Sequence, residues 1–176
     1  MAGGATIPPA MGQAISTELA AFCHSGVSIL VGTRDRRLFA ECVRAVGARI
    51  ERGRRELSVF VPLATGAVTA ANLADNQRIA VCFTRIEDHR SIQFKGRAVA
   101  VALASEDDRA VIERHRGEWT RNLAVIGMPP RLSLRQCSWP SHAIRVRVES
   151  VFVQTPGPGA GAPLPPPATA GRRGAS

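Results

Sequence analysis

"NLADNQRIAVCFTRIEDHRSIQFKGRAVAV", residues 72–101, decides how this chain folds. Ile79, Val81 and Phe83 alternate with smaller residues, the pattern of a strand. "IEDH" makes a polar turn, and a long second strand starts at Arg90. Two strands joined so briefly must run antiparallel. Side chains alternate along the second strand, so Arg90, Ile92, Phe94 and Gly96 face one way. Ser91, Gln93, Lys95 and Arg97 face the other. Lys95 is the only lysine among 23 basic residues. This polar face reads as a solvated surface or as an anion-binding wall, with Gln93 a neutral donor and acceptor beside the Lys95 cation.

Upstream, Ser16 caps a helix over 16–23, with Ile15, Leu19, Phe22 and Cys23 on one face and Gly26 as its stop. Three strands follow over 27–33, 39–50 and 57–62, separated by the charged turns "RDRR" and "ERGRRE". Gly47 marks a bulge or bend in the second. "LATGAVTAANLADN" is Ala-rich and predicts a short helix ending at Asn76. Downstream, Ser105 with Glu106, Asp107 and Asp108 starts a longer helix, on which Val111, Ile112, His115 and Trp119 share a face. Residues 128–141 are loop, and 142–154 form a last strand. The expected fold class is mainly β (α+β): an antiparallel six-stranded split β-barrel with flanking helices. Residues 1–12 are expected to be a flexible N-terminal arm, 13–154 the barrel domain, and 155–176 a disordered Pro/Gly/Ala-rich tail.

Composition excludes several classes. At 176 residues the chain holds one core. No apolar run reaches membrane-spanning length, and the first residues lack a signal-peptide layout, so no membrane role and a cytoplasmic location are expected. The net charge of +9 comes from scattered arginines, with no tyrosine and few aromatics beside them. That argues against nucleic acid as a partner. Cys23, Cys42, Cys82 and Cys137 have no metal-knuckle spacing and read as buried reduced thiols, so no metal is expected. No nucleophile elbow, P-loop or dinucleotide fingerprint is present.

The 72–101 stretch resembles the core of the pyridoxamine 5′-phosphate oxidase-like family of flavin-binding split barrels. Leu73 and Asn76 match the end of that family's short helix. Arg90, Ile92, Gly96, Arg97 and Ala98 match the strand that follows. The resemblance implies a homodimer with flavin mononucleotide (FMN) at its interface. By position it implies that Val43, Arg44 and Ala45, with Pro62 and Leu63, border the flavin ring. It implies that Thr65, Val68 and Thr69, with Arg90, Ser91, Gln93 and Lys95, hold the ribityl phosphate. Val68 and Thr69 stand where the oxidases carry a phosphate-gripping Arg-Lys pair, and Gln77 replaces a proline. Vitamin B6 oxidation is therefore not the expected activity.

The expected function is FMN binding for hydride or electron transfer with a small-molecule substrate. The alternative is a non-enzymatic module of the same fold binding flavin, deazaflavin or haem. A third is a structural dimer without ligand. No catalytic acid or base stands out.

Overall fold

A computed structural model describes residues 12–167. Helix α1 (Thr17–Cys23) starts where expected, the Ser16 hydroxyl accepting from the Leu19 N–H at 3.1 Å. The strands are β1 (Ser28–Arg34), β2 (Ala40–Arg44), β3 (Gly47–Ile50), β4 (Glu56–Pro62), β5 (Arg78–Thr84), β6 (Ser91–Leu103) and β7 (Ser141–Val153). They form one antiparallel sheet in the order β2-β1-β5-β6-β7-β4-β3. Helices α2 (Ala67–Asn76) and α3 (Glu106–Val125) follow β4 and β6, and a single turn, α4 (Pro130–Ser133), lies in the loop before β7.

The expected six strands become seven because the segment from Phe39 to Ile50 is two strands rather than one. The Ala45 N–H bonds Ile29 O at 3.0 Å, whereas the next, Val46 N–H, bonds Phe60 O at 2.8 Å. Between those residues the chain leaves β1 and joins β4. Since β2 and β3 are the two ends of the strand order, one bent segment joins both edges and curls the sheet into a barrel. Gly47 sits just past this switch because α3 passes close: a Cβ there would lie 3.3 Å from the Ile112 Cα.

The barrel interior takes the apolar side chains of every long strand, including Val31, Val81, Phe83, Phe94, Ile144, Val146 and Val148. Phe83 and Phe94 meet edge to face with centroids 5.4 Å apart. Strand β4 is buried on both faces, since Phe60 points outward into a second cluster with Val46 and Ile112 beneath α3. Helix α3 is fixed by a capping box in which the Asp108 carboxylate accepts from the Ser105 N–H and hydroxyl, both at 2.9 Å. The same carboxylate takes an Arg49 N–H from β3 at 2.7 Å.

The disordered tail expected from Thr155 is a correction for residues 155–167. They turn through Gly157 (φ 137°) and Gly161 (φ 86°) and return as a two-residue strand, β8 (Pro163–Leu164), against β7. Val153 N–H bonds Ala162 O at 2.9 Å, Gly161 N–H bonds Val153 O at 2.7 Å, and Gln13 Nε2 donates to Leu164 O at 2.7 Å. Low apolar content did not prevent order because this segment docks through backbone hydrogen bonds to a sheet edge that the barrel already provides. Residues 168–176 and the first eleven residues of the arm lie outside the described residues.

The thiols need correction too. Cys23 is fully buried, but Cys82 is half-buried and Cys42 and Cys137 are exposed, all four free. Among the described residues no helix is long and apolar enough to cross a membrane, and no cluster of metal-ligating side chains exists.

Candidate functional site

Strand pairing brings three of the sequence-predicted residues, Arg44, Gln93 and Lys95, onto one face. On the outer face of β2-β1-β5-β6, Cys42, Gly32, Ala80 and Lys95 stand in one cross-strand row. Arg44, Leu30, Cys82, Gln93 and Phe152 stand in the next. Strands lie about 4.8 Å apart, so the four span roughly 14 Å, enough for a fused-ring ligand laid across them. Gly32 and Ala80 leave the middle of the first row without bulk. An open groove of about 460 Å³ occupies that space, lined by Gly32, Arg34, Arg78, Ala80, Lys95 and Glu149 among others.

The electrostatics of this face are cationic. Glu149 is shared by Arg78 at 3.0 Å and Arg97 at 3.3 Å. Among the described residues no carboxylate pairs with Lys95; its ammonium rests 4.6 Å over the Phe152 ring. Gln93 is oriented by its neighbour, since Gln154 Nε2 donates to Gln93 Oε1 at 3.3 Å. That leaves the Gln93 amide N–H₂ as the group to present to a ligand. At the other end of the face, Arg44 donates to Ser28 Oγ at 2.8 Å and lies 5.4 Å over the Trp119 ring. Burial and the nearby Cys42 push the Cys82 thiol above its ordinary pKa, so it is held as a thiol.

Other predicted residues lie elsewhere. Val43 points into the core. Thr69 is fully buried and donates to Glu41 Oε2 at 2.7 Å. Glu41 also accepts from Thr33, which in turn accepts from the Asn72 amide. This network docks α2 on the face of β1 and β2 opposite to Lys95, so Thr69 is a structural anchor. Ala45 and Pro62 are buried, Leu63 is half-buried, and Thr65 and Val68 are exposed around the start of α2. That helix begins at Gly66 with no side-chain cap, which leaves first-turn N–H groups for a ligand or water. Ser91 is buried and tied to Thr84 and Thr155. Arg90 sits at the turn, but its guanidinium pairs with Glu18 at 2.8 Å and covers the Phe22 ring. It braces α1 and is turned away from Lys95.

Gly32, Arg34, Arg78 and Ala80 were missed as site residues. Their signal is strand parity combined with pairing partners, and the partners depend on β5 lying between β1 and β6. Phe152 and Gln154 were missed because their strand is distant in sequence and adjacent only in the sheet.

No protein-family model matches this sequence, and no curated protein is similar to it. Solved structures are similar. HupZ from Group A Streptococcus matches 84% of this chain and 99% of its own, at 18% identity and a TM-score of 0.53. An F420 reductase matches 78% of this chain and 98% of its own, at 10% identity and a TM-score of 0.51. A Clostridium acetobutylicum protein of the pyridoxinephosphate oxidase family covers 77% of this chain and 84% of its own, at 15% identity and a TM-score of 0.42. At these identities the likeness is one of fold. The chain shares its antiparallel split-barrel fold with HupZ and the F420 reductase.

Proposed function

We propose that two copies of this chain together bind a flavin-type cofactor, FMN first among them, and transfer hydride or electrons to or from a small substrate. The observation that carries this reading is the outer face itself: an ammonium without a carboxylate partner among the described residues, and an oriented amide, beside a floor of Gly32 and Ala80. A bound flavin would supply the electron-accepting ring. The chain's residues would orient it, with Gln93 and Lys95 donating to its acceptors and Leu30 covering its apolar surface. The start of α2 and Lys95 belong to opposite faces of the sheet, so one ligand reaches both only if the second comes from a partner copy. Exposed apolar residues on β6, Val99 at 41%, Val101 at 42% and Leu103 at 70%, offer surface for such an association.

Titration of apoprotein with FMN tests the reading. Lys95→Ala is expected to weaken binding by about 1.5–3 kcal/mol, the scale of a hydrogen bond to a charged group, with the fold unchanged. Equal affinity in wild type and variant returns Lys95 to the solvated surface. Sedimentation at micromolar concentration checks the dimer, and a clean monomer removes the shared cleft.

A second reading, a deazaflavin-binding protein, draws on the burial of Thr69 and the lack of charge at Val68. The anionic end of a ligand is then left to the outer arginines Arg34, Arg78 and Arg97, a strip that suits a longer acidic tail. The absorption spectrum of the purified protein separates flavin, deazaflavin and haem.

A further inference from the structure

Strand register sets arginines side by side. Arg78 of β5 stands opposite Arg97 of β6, and Arg97 stands opposite Arg147 of β7. Arg34, two residues past Gly32 on β1, shares the face of Arg78, two residues before Ala80 on β5. Lys95 stands one step along the same face from Arg97. Like charges directly opposite each other destabilise a sheet, so folding alone disfavours this ladder.

Its counter-charges are too few to neutralise it. Glu149 serves Arg78 at 3.0 Å and Arg97 at 3.3 Å, and Glu56 serves Arg147 at 3.3 Å. Glu149 reaches two arginines because it is the extra residue of a bulge: Lys95 pairs with Ser150, but Gly96 pairs with Val148. Gly96 is needed there, since a Cβ would overlap the Arg147 carbonyl oxygen. Asp75 pairs with Arg36 at 2.6 Å instead of Arg34. Arg34 donates to a backbone acceptor, Asp35 O, at 3.1 Å, and Lys95 rests over the Phe152 ring. Among the described residues neither of these two cations has a carboxylate partner. Both line the open groove of about 460 Å³, together with Arg78. That volume lies within the range of small-molecule sites, about 300–1,000 Å³.

We propose that this ladder is a diphosphate site. It binds the pyrophosphate group of a nucleotide or the free diphosphate ion, with Arg34 and Arg78 on one phosphate and Lys95 on the other. Neighbouring strands lie about 4.8 Å apart, so adjacent rungs can hold the two ends of one diphosphate. The planar guanidinium fork suits phosphate oxygens, and charge-assisted bonds of this kind are the strong ones. A single phosphate engages only part of the ladder. That the same groove also seats the ring of a flavin-type ligand rests on the reading above; the diphosphate site itself does not.

Isothermal titration of the full chain, at fixed ionic strength and without divalent cations, compares pyrophosphate with phosphate and ADP with AMP. The diphosphate of each pair is expected to bind at least tenfold tighter. ADP tighter than pyrophosphate assigns the site to a nucleotide, and equal affinity assigns it to the free ion. Arg34→Gln and Arg78→Gln are each expected to weaken pyrophosphate at least fivefold, whereas Arg131→Gln, at an exposed position of α4, leaves it unchanged. Glu149→Gln removes the internal counter-charge and is expected to tighten pyrophosphate severalfold while lowering the Tm of the free chain. A purely structural carboxylate would lower the Tm and leave the affinity alone. No preference for the diphosphates, equal losses in the Arg131 and Arg78 variants, or full affinity in the folded Arg34 and Arg78 variants overturns the proposal. FMN titration of the same sample keeps the two readings apart. Pyrophosphate binding without FMN binding supports the ladder and refutes the flavin assignment; FMN binding without pyrophosphate binding does the reverse.

Discussion

His115 should make this protein acid-sensitive well above the carboxylate range. It sits on the buried face of α3, near His24, Arg114 and Glu118, and its pKa falls to about 4 from 6.5 chiefly through desolvation, against an opposing hydrogen bond to the Val27 backbone. The folded state prefers the neutral imidazole, so the unfolded chain binds more protons between the two values. Stability is then complete above about pH 6.5 and falls as pH drops toward 4. With those two values the linkage relation gives a loss of about 2 kcal/mol between pH 7 and pH 5, and about 3 kcal/mol by pH 4. His24 is also pushed down by burial and by Arg114, and adds to the loss in the same direction. Urea unfolding at pH 7 and pH 5, on wild type and on His115→Gln, isolates the His115 share, since glutamine keeps a donor for Val27. The variant should lose about 2 kcal/mol less than wild type over that interval. Equal losses would refute the assignment of a neutral buried imidazole.

Three further outcomes follow from local geometry. Asp108→Ala removes the acceptor for Ser105 and Arg49 together and should cost about 2–3 kcal/mol in denaturant unfolding, with α3 the first element to lose amide protection. Truncation after Gln154 removes β8 and its hydrogen bonds to Val153 and Gln13, and should lower stability by about 1–2 kcal/mol, roughly 3–6 °C in Tm; an unchanged Tm would show that the pairing with β7 contributes nothing. Gln77 closes α2 at φ 60°, so Gln77→Gly should stabilise by about 0.5–1 kcal/mol, and a loss of stability would mean that the side chain holds the cap.

The sequence alone determined the local elements, because their causes are local. Ser16 and Ser105 cap the helices they precede, and strict alternation in 78–83 and 91–97 places Phe83 and Phe94 inside and Lys95 outside. The barrel class follows from the count and order of such strands. Tertiary structure decided three other things. The bend at Ala45 and Val46 is set by which neighbour each N–H finds, Ile29 or Phe60, residues far apart in sequence. The order of 155–167 depends on an open edge of β7, invisible in a Pro/Gly-rich composition. The site residues divide between two faces because α2 docks through Thr69 and Asn72 while Lys95 and Gln93 look outward. A side chain's face follows from its own strand, but its company follows from which strands lie beside it, and that is fixed only when the whole sheet closes.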